Sequence, residues 1–182
     1  MFLRKVMKVV VSLAILSVLA GCTITGEPRM DNVAFEKDGY VVQNKIKDSI
    51  SVGDVSEFPG TSNFTYSGRL APNFSDKSFK EVLEKSLENA NLKGSGYSLN
   101  VKLLDSGDWS DWFYSPFKEQ VRVIKIRYTL LDGSSTILNE EIESSVEIDK
   151  SLIRPFYIQQ RKAAEASYKN NIEQFVEKVN QL

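Results

Sequence analysis

From Tyr97 to Ile148 apolar and polar residues alternate in three successive stretches, and this period of two limits the chain to folds that half-bury a sheet. Tyr97, Leu99, Val101 and Leu103 alternate with Ser98, Asn100 and Lys102. Ile124, Ile126, Tyr128 and Leu130 define one face of a second strand over 120–131. Arg122, Lys125 and Arg127 are read on its wetter sides, and Val121 and Val123, of opposite parity, call for a bulge or burial of both faces. Asp132-Gly133 is a strong reversal signal. Leu138, Ile142, Val146 and Ile148 then face inward, with Asn139, Glu141, Glu143 and Glu147 outward. Three consecutive antiparallel strands follow, and Ile46, Ile50, Val52 and Val55 supply an earlier one with Gly53-Asp54 as a bulge or bend.

Two helices flank this run. After a polar, turn-rich passage between Pro59 and Pro72, Ser78 and Glu81 have capping-box spacing, with Asp76 as a competing cap. Phe79, Val82, Leu83, Leu87 and Ala90 recur at three- and four-residue intervals as one apolar stripe, and Gly94 and Gly96 end the segment. A second helix spans about 155–179, with Pro155 in its first turn and Tyr157, Arg161, Ala164, Tyr168, Ile172, Phe175 and Val179 along one seam. Arg161 interrupts that seam, either with its stem packed and its head in water or as a paired group. The order strand, helix, three strands, helix predicts an α+β domain: a four-stranded, largely antiparallel sheet with two helices on one face.

The amino terminus has a different composition. Arg4, Lys5 and Lys8 precede twelve residues, 9–20, without a charge, and small residues lead to Cys22. This order is that of a secretory signal, and the apolar run is short for a membrane span, which needs about 20 residues. Leu19-Ala20-Gly21-Cys22 resembles the lipobox of bacterial lipoproteins. That resemblance implies cleavage after Gly21 and a diacylglyceryl thioether on Cys22, with N-acylation of the same residue; an unmodified cysteine behind a conventional signal is the alternative. Two or three acyl chains hold a protein to a membrane far more firmly than one. Thr23, where an acidic residue would signal inner-membrane retention in enterobacteria-like lipoproteins, favours the outer membrane.

The expected organisation is a cleaved signal peptide at 1–21, a lipidated terminus and flexible tether at 22–45, and one periplasmic domain at 46–182. Removing three leader cations from 23 leaves 20 basic against 24 acidic residues, a mild excess that gives no electrostatic case for nucleic acid. Cys22 is the only cysteine, so no intrachain disulfide can form and the domain rests on its core.

The chain contains no histidine, which removes Ser-His-Asp, Cys-His and histidine-based zinc chemistry. Asp105, Asp108 and Asp111, spaced by three beside Trp109 and Trp112, have the residue types of glycoside-processing sites, but Ser106, Gly107 and Ser110 mark a solvated turn. Glu140, Glu141 and Glu143 read as a wet strand face. We therefore assign no catalytic residue, no metal site and no cofactor besides the covalent lipid. Trp109, Trp112, Phe113, Tyr114 and Phe117, five aromatics within nine residues, are the candidate binding surface; folding over the sheet end to complete the core is the competing reading. Asn63-Phe64-Thr65 and Asn73-Phe74-Ser75 match the glycosylation sequon by chance.

The order of elements resembles the cores of small Gram-negative envelope lipoproteins, including auxiliary lipoproteins of transport systems and the assembly lipoprotein of the lipopolysaccharide translocon. Phe74-Ser75-Asp76 before Phe79, Leu83-Glu84-Lys85-Ser86-Leu87, and Arg161, Ala164, Glu165 and Asn171-Ile172 before Phe175 look like an uncharacterised family of this kind, over roughly 70–182. The resemblance implies a fold more than an activity and transfers no catalytic residue. The expectation is a non-catalytic, lipid-anchored binding or adaptor protein with the membrane and an envelope protein as partners. A structural lipoprotein that binds peptidoglycan or self-associates is the alternative, and a carboxylate-dependent hydrolase comes third.

Overall fold

The computed structural model describes residues 26–42, 46–64, 69–107, 120–148 and 156–182. In chain order the elements are α1 (Met30–Val33), β1 (Ile50–Ser56), β2 (Ser62–Phe64), β3 (Arg69–Ala71), α2 (Asp76–Asn89), β4 (Tyr97–Asp105), β5 (Gln120–Asp132), β6 (Ser135–Ile148) and α3 (Phe156–Val179). Four strands form one open sheet in the order β1-β4-β5-β6, and β2 and β3 form a separate antiparallel pair. The fold is α+β, as the sequence predicts.

Period-two patterning places Leu99, Val101, Leu103, Ile124, Ile126, Tyr128, Leu130 and Ile142 on one buried face. Phe79, Val82, Leu83 and Leu87 of α2 and Ala164, Tyr168, Ile172, Phe175 and Val179 of α3 complete the same core. Phe175 stacks on Tyr128 with ring centroids 4.2 Å apart and planes at 11°. Removing eight such side chains from water, at about 1.5–3 kcal/mol each, outweighs any single polar contact in the molecule.

β4, β5 and β6 are antiparallel neighbours, whereas β1 runs parallel to β4 from Ile50↔Tyr97 to Ser56↔Lys102. The sheet is therefore mixed. A register shift between Val52 and Val55 coincides with Gly53-Asp54, where a bulge is expected. A side chain at Gly53 would meet Asn100 Oδ1 and Ser98 Oγ, so any larger residue there must displace those two side chains.

Four local expectations are corrected. The N-cap of α2 is Ser75, whose extended backbone lets Oγ accept from Ser78 N at 3.2 Å. Asp76 instead accepts the Phe58 N–H at 2.8 Å. The helix ends at Asn89 with Ala90 as its C-cap, and Asn91 turns the chain left-handed at φ 55°, with Leu92 and Lys93 N–H returning to Leu87 O. Gly94 follows because a Cβ there would strike the Asp48 carbonyl. The passage before α2 contains the β2–β3 pair, in register from Ser62↔Ala71 to Phe64↔Arg69. Arg122, expected on a wet side, shares the parity of Ile124 and is 1% exposed.

The largest difference concerns the expected tether. Residues 29–40, which fall within 22–45, form a strap along the two helices. Val33 and Phe35 are buried in the core cluster, and Met30, Tyr40 and Val42 pack against it. Phe35 N donates to Ser86 Oγ at 3.0 Å, Asn89 Nδ2 donates to Phe35 O at 2.8 Å, and Tyr40 Oη donates to Val176 O at 3.3 Å. The folded domain thus begins upstream of residue 46. Few apolar residues and no period had concealed the segment; two anchors suffice because the helices supply the remaining wall.

Candidate functional site

Cys22, Asp108, Trp109, Asp111, Trp112, Phe113, Tyr114 and Phe117 lie outside the described residues. Asp105 ends β4 and accepts the Gly107 N–H at 2.8 Å in an exposed turn. The acidic run separates: Glu140 meets Lys178 at 2.9 Å, and Glu141 lies on the opposite sheet face with Lys125 and Arg127. Hydrogen bonds from Arg127, then Lys125, hold the Glu141 carboxyl below its ordinary range. Among the described residues no group of three or more His, Cys, Asp or Glu gathers with metal-binding geometry. Nor is any helix among them long and apolar enough to cross a membrane.

The helix-free sheet face is polar. Asp54, Ser56, Asn100, Val101, Lys102, Arg127 and Thr129 line a shallow depression of about 240 Å³ there. Lys102 pairs with Glu57 at 3.6 Å, and Arg127 with Glu141, so its cations are already committed at the surface. Exposed pairs of this kind contribute little, typically below about 1 kcal/mol.

Two buried polar clusters are more organised. The first lies where α3 crosses the start of β5. Asn73 is fixed by its backbone, which both donates to and receives a hydrogen bond from Thr61 Oγ1. Its Oδ1 accepts from Arg122 Nη2 at 2.6 Å and from Tyr168 Oη at 3.2 Å. Ser167 Oγ donates to Arg122 O at 2.5 Å, and Ser144 Oγ donates to Ser167 O at 2.8 Å. Asn171 Nδ2 donates to Ile142 O at 2.8 Å, while its Oδ1 accepts from Tyr128 Oη at 2.9 Å. Small residues at 144, 164 and 167 let the helix approach closely enough for these bonds. Burial pulls the Arg122 guanidinium down to about 9 against the favourable fields of Tyr168 and Asp105, so it stays protonated at neutral pH. Desolvation raises both buried phenols, Tyr128 and Tyr168. The cluster has a cation, hydroxyls and amides but no base beside a nucleophile; its geometry is that of a lock between helix and sheet.

The second cluster centres on Glu165, 2% exposed on α3. Its Oε1 accepts the Arg29 N–H at 3.0 Å, and its Oε2 accepts from Asn32 Nδ2 at 2.8 Å. Arg161 Nε lies 3.4 Å and Lys162 Nζ 3.2 Å from the same carboxylate. Arg161 is thus a paired group, and its partner clasps the strap. The sequence does carry one sign of this: Glu165 is four residues after Arg161 and three before Tyr168, on the seam side of the helix. Asn73 is 4% exposed with its carbonyl oxygen occupied, so its sequon is sealed in the folded chain.

No family model and no curated protein matches the chain. Among solved structures it is similar to protein XCC0632 from Xanthomonas campestris, of the family DUF330, with a TM-score of 0.55 at 9% identity over 81% of this chain and 90% of that one. A candidate lipoprotein from Caulobacter crescentus CB15 aligns with a TM-score of 0.47 at 12% identity, over 74% and 89% of the two chains. The first likeness shows a shared fold.

Proposed function

We propose that the chain is a lipid-anchored, non-catalytic binding or adaptor protein of the bacterial cell envelope, supporting transport or assembly of an envelope component. The observation that carries this reading is Leu19-Ala20-Gly21-Cys22 at the end of a short, positively led apolar stretch. Cys22 is the lipidated residue, and the acylated terminus holds the domain on the periplasmic side of a membrane. Thr23 supports an outer-membrane address. Absence of histidine and of a second thiol from the sequence supports a binding role over nucleophilic or histidine-metal catalysis. The aromatic run of Trp109, Trp112, Phe113, Tyr114 and Phe117 is the proposed protein-binding surface, since large rings anchor interfaces when packed into a partner.

Cys22→Ser should leave an unprocessed precursor that takes up no fatty-acid probe; normal labelling of that variant overturns the anchor. Crosslinked pull-down from membranes tests the adaptor role. Loss of a captured envelope protein on Trp109→Ala/Trp112→Ala, with the far-ultraviolet spectrum unchanged, supports it. Retained sedimentation with murein and no captured protein refutes it. Density fractionation of membranes checks the address, and recovery with the inner membrane overturns that part.

A further inference from the structure

We propose that the docked strap turns the lipid anchor into a short leash, so that the end of the domain bearing Arg29 and Lys162 faces the headgroup layer of the bilayer. The opposite end, at the Gly133-Ser134 turn, then points away from it. This inference rests on acylation of Cys22 and concerns what the fold does with that attachment.

The leash is measured from the first clasped residue. Both oxygens of Glu165 hold the strap, one through the Arg29 backbone and the other through Asn32, and Phe35 and Tyr40 are fastened further along. Glu165 is nearly sealed from water, with Arg161 and Lys162 balancing its charge. Arg29 therefore moves with the domain. Only seven residue steps separate it from Cys22, which at about 3.3–3.6 Å each gives a limit of roughly 25 Å. A relaxed chain of that length spans about 15 Å. Had the chain been free as far as residue 45, its limit would be about 80 Å and no orientation would follow.

The position of the clasp fixes which end is held. Along α3, Ser167 contacts the Arg122 carbonyl and the Val146 N–H, Asn171 the Ile124 and Ile142 carbonyls, Phe175 the ring of Tyr128, and Lys178 the Glu140 carboxylate. The helix thus runs from the β5 start toward the β5–β6 turn. Glu165 precedes Ser167 and lies at the far end from Asp132↔Ser135, the last rung before that turn. From Arg122 to Asp132 the strand rises about 33 Å. The separation of the two ends exceeds the roughly 25 Å limit of the leash, so the domain cannot stand upright on its Gly133-Ser134 end while its acyl chains remain in the membrane.

The test uses the full, lipidated chain reconstituted in vesicles of phosphatidylethanolamine and phosphatidylglycerol containing headgroup-quencher lipid. Asp31→Cys and Ser134→Cys carry the same fluorophore; Asp31 is exposed on α1 between the clasped residues Arg29 and Asn32, and Ser134 is in an exposed turn. The label at 31 should lose most of its emission while that at 134 keeps it. Equal quenching, or stronger quenching at 134, overturns the proposal. Inserting a flexible Gly-Ser segment of about twenty residues between Thr25 and Gly26 leaves the described domain intact and should erase the difference. A difference that survives insertion also overturns the leash. Fatty-acid labelling of the same samples separates the two readings: no label refutes the anchor, whereas labelled protein with equal quenching refutes only the orientation.

Discussion

Arg122 Nη2 donates to Asn73 Oδ1 at 2.6 Å between residues 49 apart in sequence, with both side chains buried. The bond joins the chain just before α2 to the start of β5, and Tyr168 of α3 shares its acceptor. Asn73→Ala removes that acceptor while leaving the guanidinium charged, and should lower stability by about 2–3 kcal/mol. Asn73→Asp supplies a counter-charge and should lose less. Urea unfolding midpoints at neutral pH distinguish them, and an Ala variant as stable as the native protein would dismiss the lock.

Phe35 tests whether the strap belongs to the cooperative core. Its ring is 1% exposed and stands edge-on to Tyr40, with centroids 4.9 Å apart. Phe35→Ala should cost about 3–5 kcal/mol, the range for an emptied aromatic site. Hydrogen exchange provides the local readout: the Phe35 amide, bonded to Ser86 Oγ, should be protected in the native protein and exchange freely in the variant.

Gly94 and Gly133 separate two reasons for glycine. A Cβ at Gly94 would collide with the backbone of Asp48 and Ser49, neither of which can rotate away. At Gly133 the space is open, and only φ 55° opposes a side chain. Gly94→Ala should therefore destabilise by about 2–3 kcal/mol, and Gly133→Ala by about 1–2 kcal/mol. Thermal melts of the two variants check the order.

The buried phenols give the pH dependence a sign. Tyr128 and Tyr168 have folded values above the ordinary 10.0, so the stability they contribute is complete below that value and is lost as pH rises beyond it, where the unfolded chain ionises first. Arg122, down to about 9 from 12.5, acts in the opposite direction: between those values the unfolded state binds the extra proton and stability rises with pH. Two phenols outweigh one guanidinium. Alkaline titration followed by phenolate absorbance should show Tyr128 and Tyr168 ionising together with loss of secondary structure, and their ionisation in a still-folded chain would contradict this balance.

Much of the core can be read in the sequence. Leu99, Val101 and Leu103, the run from Ile124 to Leu130, and Tyr168, Ile172, Phe175 and Val179 announce themselves by period, because one-sided burial repeats in register with the element. Pairing partners do not. The parallel seat of β1 beside β4 follows from how α2 crosses the sheet, and nothing in Ile50 or Val52 encodes it. Arg122 sits at an inward position of its own strand, but its charge argued for the outside; Asn73, supplied from a distant loop, makes burial tolerable. Glu165 and the strap stayed hidden for the same reason. Their partners lie 136 and 133 residues away, beyond the reach of any local pattern.

Those separations set the order of events as the chain folds during its synthesis. A chain delivered amino-terminus first presents Val33 and Phe35 early, yet Ser86 follows Phe35 by 51 residues and Val176 follows Tyr40 by 136. The strap is among the first folded parts to emerge and among the last to be seated, because α3 must be complete before its groove exists. Between those moments its apolar residues stay out of the core and open to chaperones.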